Sequence, residues 1–362
     1  MPFVDLKIQY ETYKKEIDKE VISVMESTQF IFGPQVVKLE NSLAKFINTK
    51  HAISCSSGTD ALILSLLVLD IKLGDEIITT PFTFIATAEA ISFLGATPVF
   101  VDICDTDYNI NCSKIEEKIT SKTKAILPVS LYGQTSNMEK INKIADKYKL
   151  FVIEDACQSF GAEFKNKKSC NLSTIGCTSF FPSKPLGCYG DGGALFCHDD
   201  TIAKKIRAIL NHGQIKRYEH KYIGINGRMD ALQAAILNVK LNHFEDEIKK
   251  RVKIGVRYSE LLKNCEEVKT PSIFKDRTSV YAQYSILCKN RDALNKKLNS
   301  AGVPTAIHYP IPLHLQEAFE YLGYKKGDFP VSERVAKSIL SLPMSPFLTQ
   351  EQQNFIVETI EK

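Results

Sequence analysis

Two ionisable side chains in the middle of the chain, Asp155 and Lys184, have the settings that chemistry requires. Asp155 follows the apolar run Phe151–Ile153 and precedes small residues. A carboxylate at the end of a buried strand is costly unless a positive group meets it. Lys184 lies between Phe180–Ser183 and a proline, a rigid and partly apolar setting that suits a Schiff-base lysine. Together they indicate a pyridoxal phosphate (PLP) site, with Asp155 at the pyridinium nitrogen and Lys184 at the aldehyde carbon.

Both residues also have a purely structural interpretation. Asp155 could be a carboxylate paired with any base, and Lys184 could be a solvated surface lysine, as most lysines are. The aromatic residues and the proline beside Lys184, together with Gln158 three residues after Asp155, favour the cofactor site.

A candidate phosphate site lies at the turn Ser56–Asp60, between the short apolar run His51–Cys55 and an apolar helix. A strand, a glycine-containing turn and a helix present free backbone N–H groups to an anion. Ser57, Gly58 and Thr59 could therefore bind a phosphate. Taken alone the signal is weak, because Ser, Thr or Asp before a helix is usually just an N-cap.

Alternating strands and helices must position these residues. The apolar pattern predicts strands at 51–55, 77–80, 98–102, 125–129, 151–153, 192–196 and 280–288, and helices at 9–28, 36–48, 61–69, 86–93, 138–149, 201–211, 291–300, 332–341 and 349–361. The alternation predicts an α/β fold with a mostly parallel sheet covered on both faces. Ligands of such sheets bind at the carboxyl ends of the strands, where the phosphate turn, Phe84 and Asp155 would all lie.

We expect two domains, a large one at residues 1–243 and a small C-terminal α/β domain at residues 244–362. A long helix that begins near residue 229 would link them. The length of 362 residues is sufficient for this arrangement.

The composition excludes several other classes of protein. A dispersed net charge of +4 argues against a nucleic-acid or membrane partner, and the most apolar stretch, 61–69, is too short to span a bilayer. The first ten residues carry charges where a signal peptide would be apolar, and none of the ten cysteines forms a CxxC motif. We therefore expect a cytoplasmic enzyme with reduced cysteines.

Motifs along essentially the whole chain resemble those of the DegT/DnrJ/EryC1/StrS sugar aminotransferases. These motifs are SGTDAL (57–62), TPFTFIAT (80–87), EDACQS (154–159), SFFPSKPLG (179–187), GDGG (190–193) and GINGRMD (224–230). The resemblance implies a fold type I, aspartate aminotransferase-like PLP enzyme that aminates keto nucleotide sugars.

The resemblance also implies a role for each site residue. Lys184 would bind the PLP aldehyde and Asp155 the pyridine nitrogen. The remaining cofactor contacts would come from Gly58, Thr59 and Ser179 at the phosphate, Gln158 at the ring hydroxyl, Phe84 stacked on the ring, and Asn226 of the partner subunit. Arg228, His308 and Tyr309 would contact the nucleotide sugar. Cys157 stands where the family more often has alanine, a change of little expected consequence.

The resemblance is strongest to the branch that aminates C3 of UDP-2-acetamido-3-keto sugars, which serves lipid A or O-antigen precursors. It implies L-glutamate as amino donor, a ping-pong reaction and a homodimer with shared active sites. Another UDP- or dTDP-linked 3- or 4-keto-deoxy sugar remains open as the substrate.

Other readings of the site and of the function are also open. Phe84 could be a core residue, and Arg228 a surface charge at a helix start. His308 and His314 lack a third metal ligand at suitable spacing, so we expect no metal site. Lys184 argues against the related sugar dehydratases, in which histidine replaces this lysine. A non-catalytic regulator is the rival from another class. A nucleotide-binding oxidoreductase is disfavoured, because the glycines at 187–193 open no helix.

Overall fold

The computed structural model describes residues 1–362 and contains strands and helices as follows. The strands are β1 (His51–Cys55), β2 (Glu76–Thr79), β3 (Thr97–Phe100), β4 (Thr123–Ile126), β5 (Phe151–Asp155), β6 (Glu163–Phe164), β7 (Lys167–Lys168), β8 (Ile175–Ser179), β9 (Gly193–Cys197), β10 (Gln214–Lys216), β11 (Glu219–His220), β12 (Val268–Lys269), β13 (Tyr284–Cys288) and β14 (Ile339–Leu342). The helices are α1 (Leu6–Ser27), α2 (Gly33–Ile47), α3 (Gly58–Val68), α4 (Ala86–Phe93), α5 (Met138–Tyr148), α6 (Asp200–Ile209), α7 (Ala231–Leu261), α8 (Arg291–Ser300), α9 (Pro330–Ser338) and α10 (Gln350–Glu361).

Seven strands form the central sheet in the order β1-β9-β8-β5-β4-β2-β3. Only β9 runs antiparallel to its neighbours, so the sheet is mostly parallel. The carboxyl ends of β5 and β8 therefore lie side by side, and Asp155 is paired with Cys177. The expected α/β fold class is confirmed.

The sheet is covered on both faces because its strands are apolar on both sides. Ile153 belongs to the core under α3, α4 and α6, whereas the preceding Val152 packs on the opposite face with α5. In the same way, Leu195 faces the first core, whereas Phe196 joins the core under α2 and α7. Near-continuous burial, as along β8 and β9, is the pattern expected of a parallel sheet with helices on both sides.

The sequence-based prediction missed seven strands, which are β8 and β14 and the short strands β6, β7, β10, β11 and β12. β8 was not predicted, because IGCTS has only one large aliphatic residue. The predicted helix at 332–341 ends at Ser338, and the next four residues form the buried strand β14 against β13. A short apolar run buried on all sides has no periodicity that distinguishes a strand from the continuation of a helix.

A three-stranded antiparallel sheet, β12-β13-β14, forms the C-terminal unit with α8 and α10. The 31-residue helix α7 enters both units: Leu237 and Phe244 pack in a core of the large sheet, whereas Ile254 and Tyr258 pack in the C-terminal core. The division at residues 243 and 244 falls inside this continuous helix and stays a prediction. None of the helices combines the length and apolar character needed to cross a bilayer.

Candidate active site

Asp155 lies at the end of β5, and two donors fix its carboxylate. The Thr87 hydroxyl on α4 donates a hydrogen bond of 2.8 Å to Oδ2, and the backbone N–H of Cys157 donates one of 3.2 Å to Oδ1. The side chain is only 5% exposed. Burial, with Asp155 adding to it, raises the pKa of the Cys157 thiol well above its ordinary value. The arrangement therefore presents an oriented carboxylate beside a protonated thiol.

Lys184 lies in the loop that joins β8 to β9. Its backbone N–H donates to the Phe181 carbonyl oxygen at 2.9 Å. The loop closes tightly, because a Cβ at Gly187 would lie 2.5 Å from the Pro182 carbonyl oxygen. Phe180 is buried, whereas Phe181 is 52% exposed. The turn is therefore rigid, with the Phe180 side chain in the core and the Phe181 side chain accessible to solvent.

The turn before α3 provides backbone N–H groups at the same end of the sheet. The Ser57 hydroxyl caps α3 by accepting from the Asp60 N–H at 3.0 Å. Gly58 approaches β8 so closely that a Cβ there would lie 2.5 Å from Cβ of Ser179. The N–H groups of Gly58 and Thr59, in the first helical turn, have no helical acceptor before them. This is the geometry of an anion site at a helix N-terminus.

Gln158 and Tyr309 form a further wall. The Gln158 Oε1 accepts from the Tyr132 N–H at 2.8 Å, and its Nε2 donates to the Tyr309 hydroxyl at 3.0 Å. One Nε2 hydrogen of the amide remains for a ligand. The Phe84 ring, 55% exposed, lies 6.1 Å from the Tyr309 ring. Phe84 is therefore not a core residue.

His308 contributes an uncharged imidazole to the cleft and, with the adjacent Tyr309, forms what we call the His308–Tyr309 wall. Its Nδ1 lies 2.9 Å from the Ser341 hydroxyl, and its carbonyl oxygen accepts from the Tyr132 hydroxyl. Burial lowers the pKa of His308 to about 4, and the positive charge of Lys184 acts in the same direction. His314 instead lies apart from the cleft against Glu333, at 3.1 Å.

Asp155, Lys184, the turn before α3, Gln158, Phe84, His308 and Tyr309 line a single cleft of about 460 Å³ between the two units. Among the predicted site residues it includes Gly58, Thr59, Phe84, Asp155, Gln158, Ser179, Lys184, His308 and Tyr309. The cleft also contains side chains that the sequence-based prediction did not assign, among them Thr87, Asp191 and Gln283. Thr87 ends the TPFTFIAT motif, which could have signalled it.

Asn226 and Arg228 do not line the cleft of their own chain. Asn226 is exposed and pairs with Asn211 in an isolated antiparallel bridge. The Arg228 guanidinium donates to the Asn211 side chain at 2.7 Å, while its buried Nε has no partner. Their predicted roles in cofactor and substrate binding therefore remain predictions.

The cleft fits PLP in shape and in chemistry. The tight approach of Gly58 to Ser179 leaves backbone N–H groups for a phosphate, and Asp155 presents an oriented carboxylate for a protonated ring nitrogen. Lys184 supplies the amine and Phe84 an open ring face. Fold and cleft together define a PLP-dependent transferase of fold type I.

Comparison with known proteins identifies the family. The model of the DegT/DnrJ/EryC1/StrS aminotransferase family matches residues 11–361. A Pseudomonas aeruginosa protein, named UDP-2-acetamido-2-deoxy-3-oxo-D-glucuronate aminotransferase, is 51% identical over 96% of this chain and 95% of its own. The chain belongs to this family and is a nucleotide-sugar aminotransferase.

Other similar proteins have different names. A Geobacillus stearothermophilus protein named pleiotropic regulatory protein is 45% identical over 99% of this chain and 97% of its own. An Aneurinibacillus thermoaerophilus protein named dTDP-3-amino-3,6-dideoxy-alpha-D-galactopyranose transaminase is 41% identical over 100% and 99%. The Bacillus subtilis NtdA structure, described with bound cofactor PMP, superposes with a TM-score of 0.92 at 32% identity, over 99% of this chain and 84% of NtdA. The predicted family, enzyme class and cofactor are confirmed.

Proposed function

We propose that this enzyme transfers the amino group of L-glutamate to C3 of a UDP-linked 2-acetamido-3-keto sugar. The observation that carries the proposal is the cleft that brings Lys184 and Asp155 together between the start of α3 and the His308–Tyr309 wall. The substrate named for the 51% identical P. aeruginosa protein supports the choice of a UDP-linked 3-keto sugar.

The side chains of the cleft have distinct parts in this reaction. Bound PLP supplies an electron sink for the charge that develops at the substrate carbon. Asp155, oriented by Thr87 and the Cys157 N–H, holds a proton at the pyridine nitrogen. Lys184 moves a proton at the substrate carbon as general base and then general acid. Phe84 packs on the ring face.

One end of the cleft would bind the phosphate of the cofactor, and the other end would bind the nucleotide sugar. Gly58, Thr59 and Ser179 bind the cofactor phosphate, and the Gln158 amide donates to the ring hydroxyl. On the opposite side His308 and Tyr309 contact the nucleotide sugar. Since the pKa of His308 is lowered to about 4, it would act there as a neutral hydrogen-bonding group and not as a cation.

The working unit would be a homodimer with shared active sites. Asn226 is exposed, which supports a role outside the cleft of its own chain. Bulky apolar side chains are also exposed, including Phe30 (44%), Ile31 (49%) and Ile223 (95%), and such side chains are typical of a protein–protein interface. Asn226 and Arg228 would act in the partner's cleft. Mixing inactive Lys184→Ala and Asn226→Ala chains should then restore about a quarter of the activity, because half of the dimers hold one intact site. No restoration would contradict shared sites.

The substrate is tested by incubating the purified enzyme, PLP and glutamate with a panel of UDP- and dTDP-linked keto sugars and measuring the aminated product by mass. We expect product from UDP-2-acetamido-3-keto sugars and none with Lys184→Ala. The matched control is Lys165→Ala, which removes an exposed lysine that pairs with Glu139. Amination of dTDP-4-keto sugars alone would refute the substrate, and aspartate replacing glutamate as the donor would refute the donor.

Two observations favour second candidates. The dTDP-sugar transaminase at 41% identity favours a dTDP-linked deoxy sugar as the substrate, which the same panel tests. The relative named as a regulatory protein favours a non-catalytic role. Conversion of glutamate to 2-oxoglutarate by the PLP-loaded protein, without any sugar, would exclude the non-catalytic role.

The aminated sugar would serve lipid A or another surface-polysaccharide precursor, made in the cytoplasm. All ten cysteines are free thiols, several of them buried, which supports a reducing compartment. When the gene is deleted, we expect the cell to make lipid A or polysaccharide that lacks the amino sugar. An unchanged sugar composition would refute this placement.

A further inference from the structure

The loop that carries Lys184 rests on helix α7, which holds it at two points. The Tyr189 N–H donates to Oε1 of Gln233 at 2.9 Å. Two helical turns along, the ammonium group of Lys240 donates to the carbonyl oxygen of Gly187. Both contacts bind the backbone of the loop and leave the Lys184 side chain free to act in the cleft.

Lys240 is buried in an unusual way for a lysine. Its side chain is only 3% exposed, and its Nζ lies 5.0 Å from the centre of the Tyr189 ring. Glu247 on the same helix is engaged by Gln9, which donates to both carboxylate oxygens at 2.9 Å. The Gly187 carbonyl oxygen is therefore the hydrogen-bond acceptor of this ammonium group. Burial lowers the pKa of Lys240 to about 8, and the attraction of Glu247 opposes that shift only in part.

This burial is costly for the stability of the fold. An ammonium group loses its hydration on burial, and an apolar side chain of similar length would fill the same space without that loss. Lys240 therefore contributes little to stability compared with what a methionine would contribute there. What a methionine could not supply is a donor for the Gly187 carbonyl oxygen.

Gly187 is coupled to Lys184 through the closely packed backbone of Phe181 and Pro182. Cα of Gly187 is so close to Phe181 and Pro182 that a Cβ there would lie 2.6 Å and 2.5 Å from their carbonyl oxygens. The same Phe181 carbonyl oxygen accepts the backbone N–H of Lys184. A displacement of Gly187 therefore moves the residues that set the position of Lys184.

Resting on the proposed function of Lys184, we propose that Lys240 is a positioning residue for that lysine: its hydrogen bond to Gly187, from beneath the loop, fixes where the Lys184 amine lies in the cleft. Lys240 touches neither cofactor nor substrate. Its effect is on the rate and on the reactivity of Lys184, and not on the binding of the sugar at the His308–Tyr309 wall.

The test compares wild-type enzyme with Lys240→Met, which keeps the length of the side chain and removes the donor. In the apoenzyme, the rate at which an amine-reactive reagent labels Lys184 is followed by peptide mass spectrometry. In the PLP-loaded enzyme, kcat and the KM for the sugar are measured. We expect kcat to fall roughly 10- to 100-fold, the labelling rate to change several-fold, and KM to stay within about twofold.

Lys205→Met is the matched control, since Lys205 is also largely covered, lies over the Tyr222 ring at 5.6 Å and pairs with Asp70 far from the loop. It should leave kcat and Lys184 labelling unchanged. Gln233→Leu, which removes the other anchor, should reproduce the Lys240→Met pattern.

Three results would overturn the proposal: wild-type kcat and labelling in Lys240→Met, a melting temperature that falls in step with kcat, or the same losses in Lys205→Met. If Lys240→Met does not fold, Gln233→Leu and hydrogen exchange of residues 181–189 decide. Unchanged protection and unchanged kcat in that variant would refute positioning of Lys184 by α7.

Discussion

Replacing Thr87 by valine removes the hydroxyl that donates to the Asp155 carboxylate and changes the shape of the side chain very little. The hydrogen bond measures 2.8 Å, and both residues are buried, Thr87 at 1% and Asp155 at 5% exposure. Water therefore has little room to replace the lost donor. The Cys157 N–H at 3.2 Å remains as the second donor to the carboxylate.

The expected cost follows from the charge on the acceptor. A hydrogen bond to a charged group contributes about 1.5–3 kcal/mol, more than a neutral one, and a buried group that loses its donor bears most of that loss. In the proposed mechanism, Asp155 holds the proton at the ring nitrogen both when PLP binds and when the reaction proceeds. We therefore predict a loss of roughly 10- to 150-fold, divided between PLP affinity and kcat, since about 1.4 kcal/mol corresponds to tenfold.

The assay measures the PLP dissociation constant from the cofactor absorbance, and kcat at saturating PLP. Thr87→Ser, which keeps the hydroxyl, should recover most of the loss. Thr79→Val is the matched control, because Thr79 is equally buried but donates to the neutral Leu127 carbonyl oxygen at 2.8 Å. If Thr87→Val loses no more than Thr79→Val in either quantity, the strand alone orients Asp155 and the reasoning fails.

Three further predictions concern the phosphate turn, the cleft histidine and the contact between the units. Gly58→Ala should weaken PLP binding at least tenfold in titrations, since its Cβ would lie 2.5 Å from Cβ of Ser179; unchanged affinity would contradict the proposed phosphate site. The pKa of His308 is about 4 in the folded chain and about 6.5 in the unfolded chain. Between pH 7 and pH 5 only the unfolded chain therefore gains the proton, and the free energy of unfolding falls by about 2 kcal/mol. Urea unfolding should show this loss in wild-type enzyme and not in His308→Gln. Asp102→Ala should lower the free energy of unfolding by about 3 kcal/mol, because the Asp102 carboxylate accepts from the N–H and hydroxyl groups of Ser332 at the start of α9; Asp105→Ala, at an exposed pair, should change it little.

The fold was predictable wherever local pattern decides the structure. The strands that lead to Asp155 and to the phosphate turn are apolar runs, and the helix after the phosphate turn, α3, is a nearly continuous apolar run. β8 and β14 depend instead on pairing with strands distant in the chain: β14 pairs with β13 across residues 289–338. No local pattern signals such pairing when the strand itself is short or weakly apolar.

The same distinction separates the predicted from the missed residues of the site. Asp155 and Lys184 are recognisable because an ionisable residue interrupts an apolar or rigid context within a few positions of itself. Thr87 and Lys240 have ordinary local contexts, and their partners lie 68 and 53 residues away in the chain. A motif could have marked Thr87 as a residue of the site, but only the folded chain shows that Thr87 donates to the Asp155 carboxylate and Lys240 to the loop of Lys184.

Helix α7 is long enough to contact both the loop of Lys184 and the C-terminal unit, which form the two walls of the cleft. Its first half binds the loop of Lys184 through Gln233 and Lys240, and its second half packs Ile254 and Tyr258 into the core of the C-terminal unit, which carries the His308–Tyr309 wall. A continuous helix of 31 residues resists bending, because backbone hydrogen bonds join every turn to the next. The distance between the Lys184 amine at one wall and the His308–Tyr309 wall at the other therefore depends on this helix. Lys240 lies near the point where the support of the loop ends and that of the C-terminal unit begins.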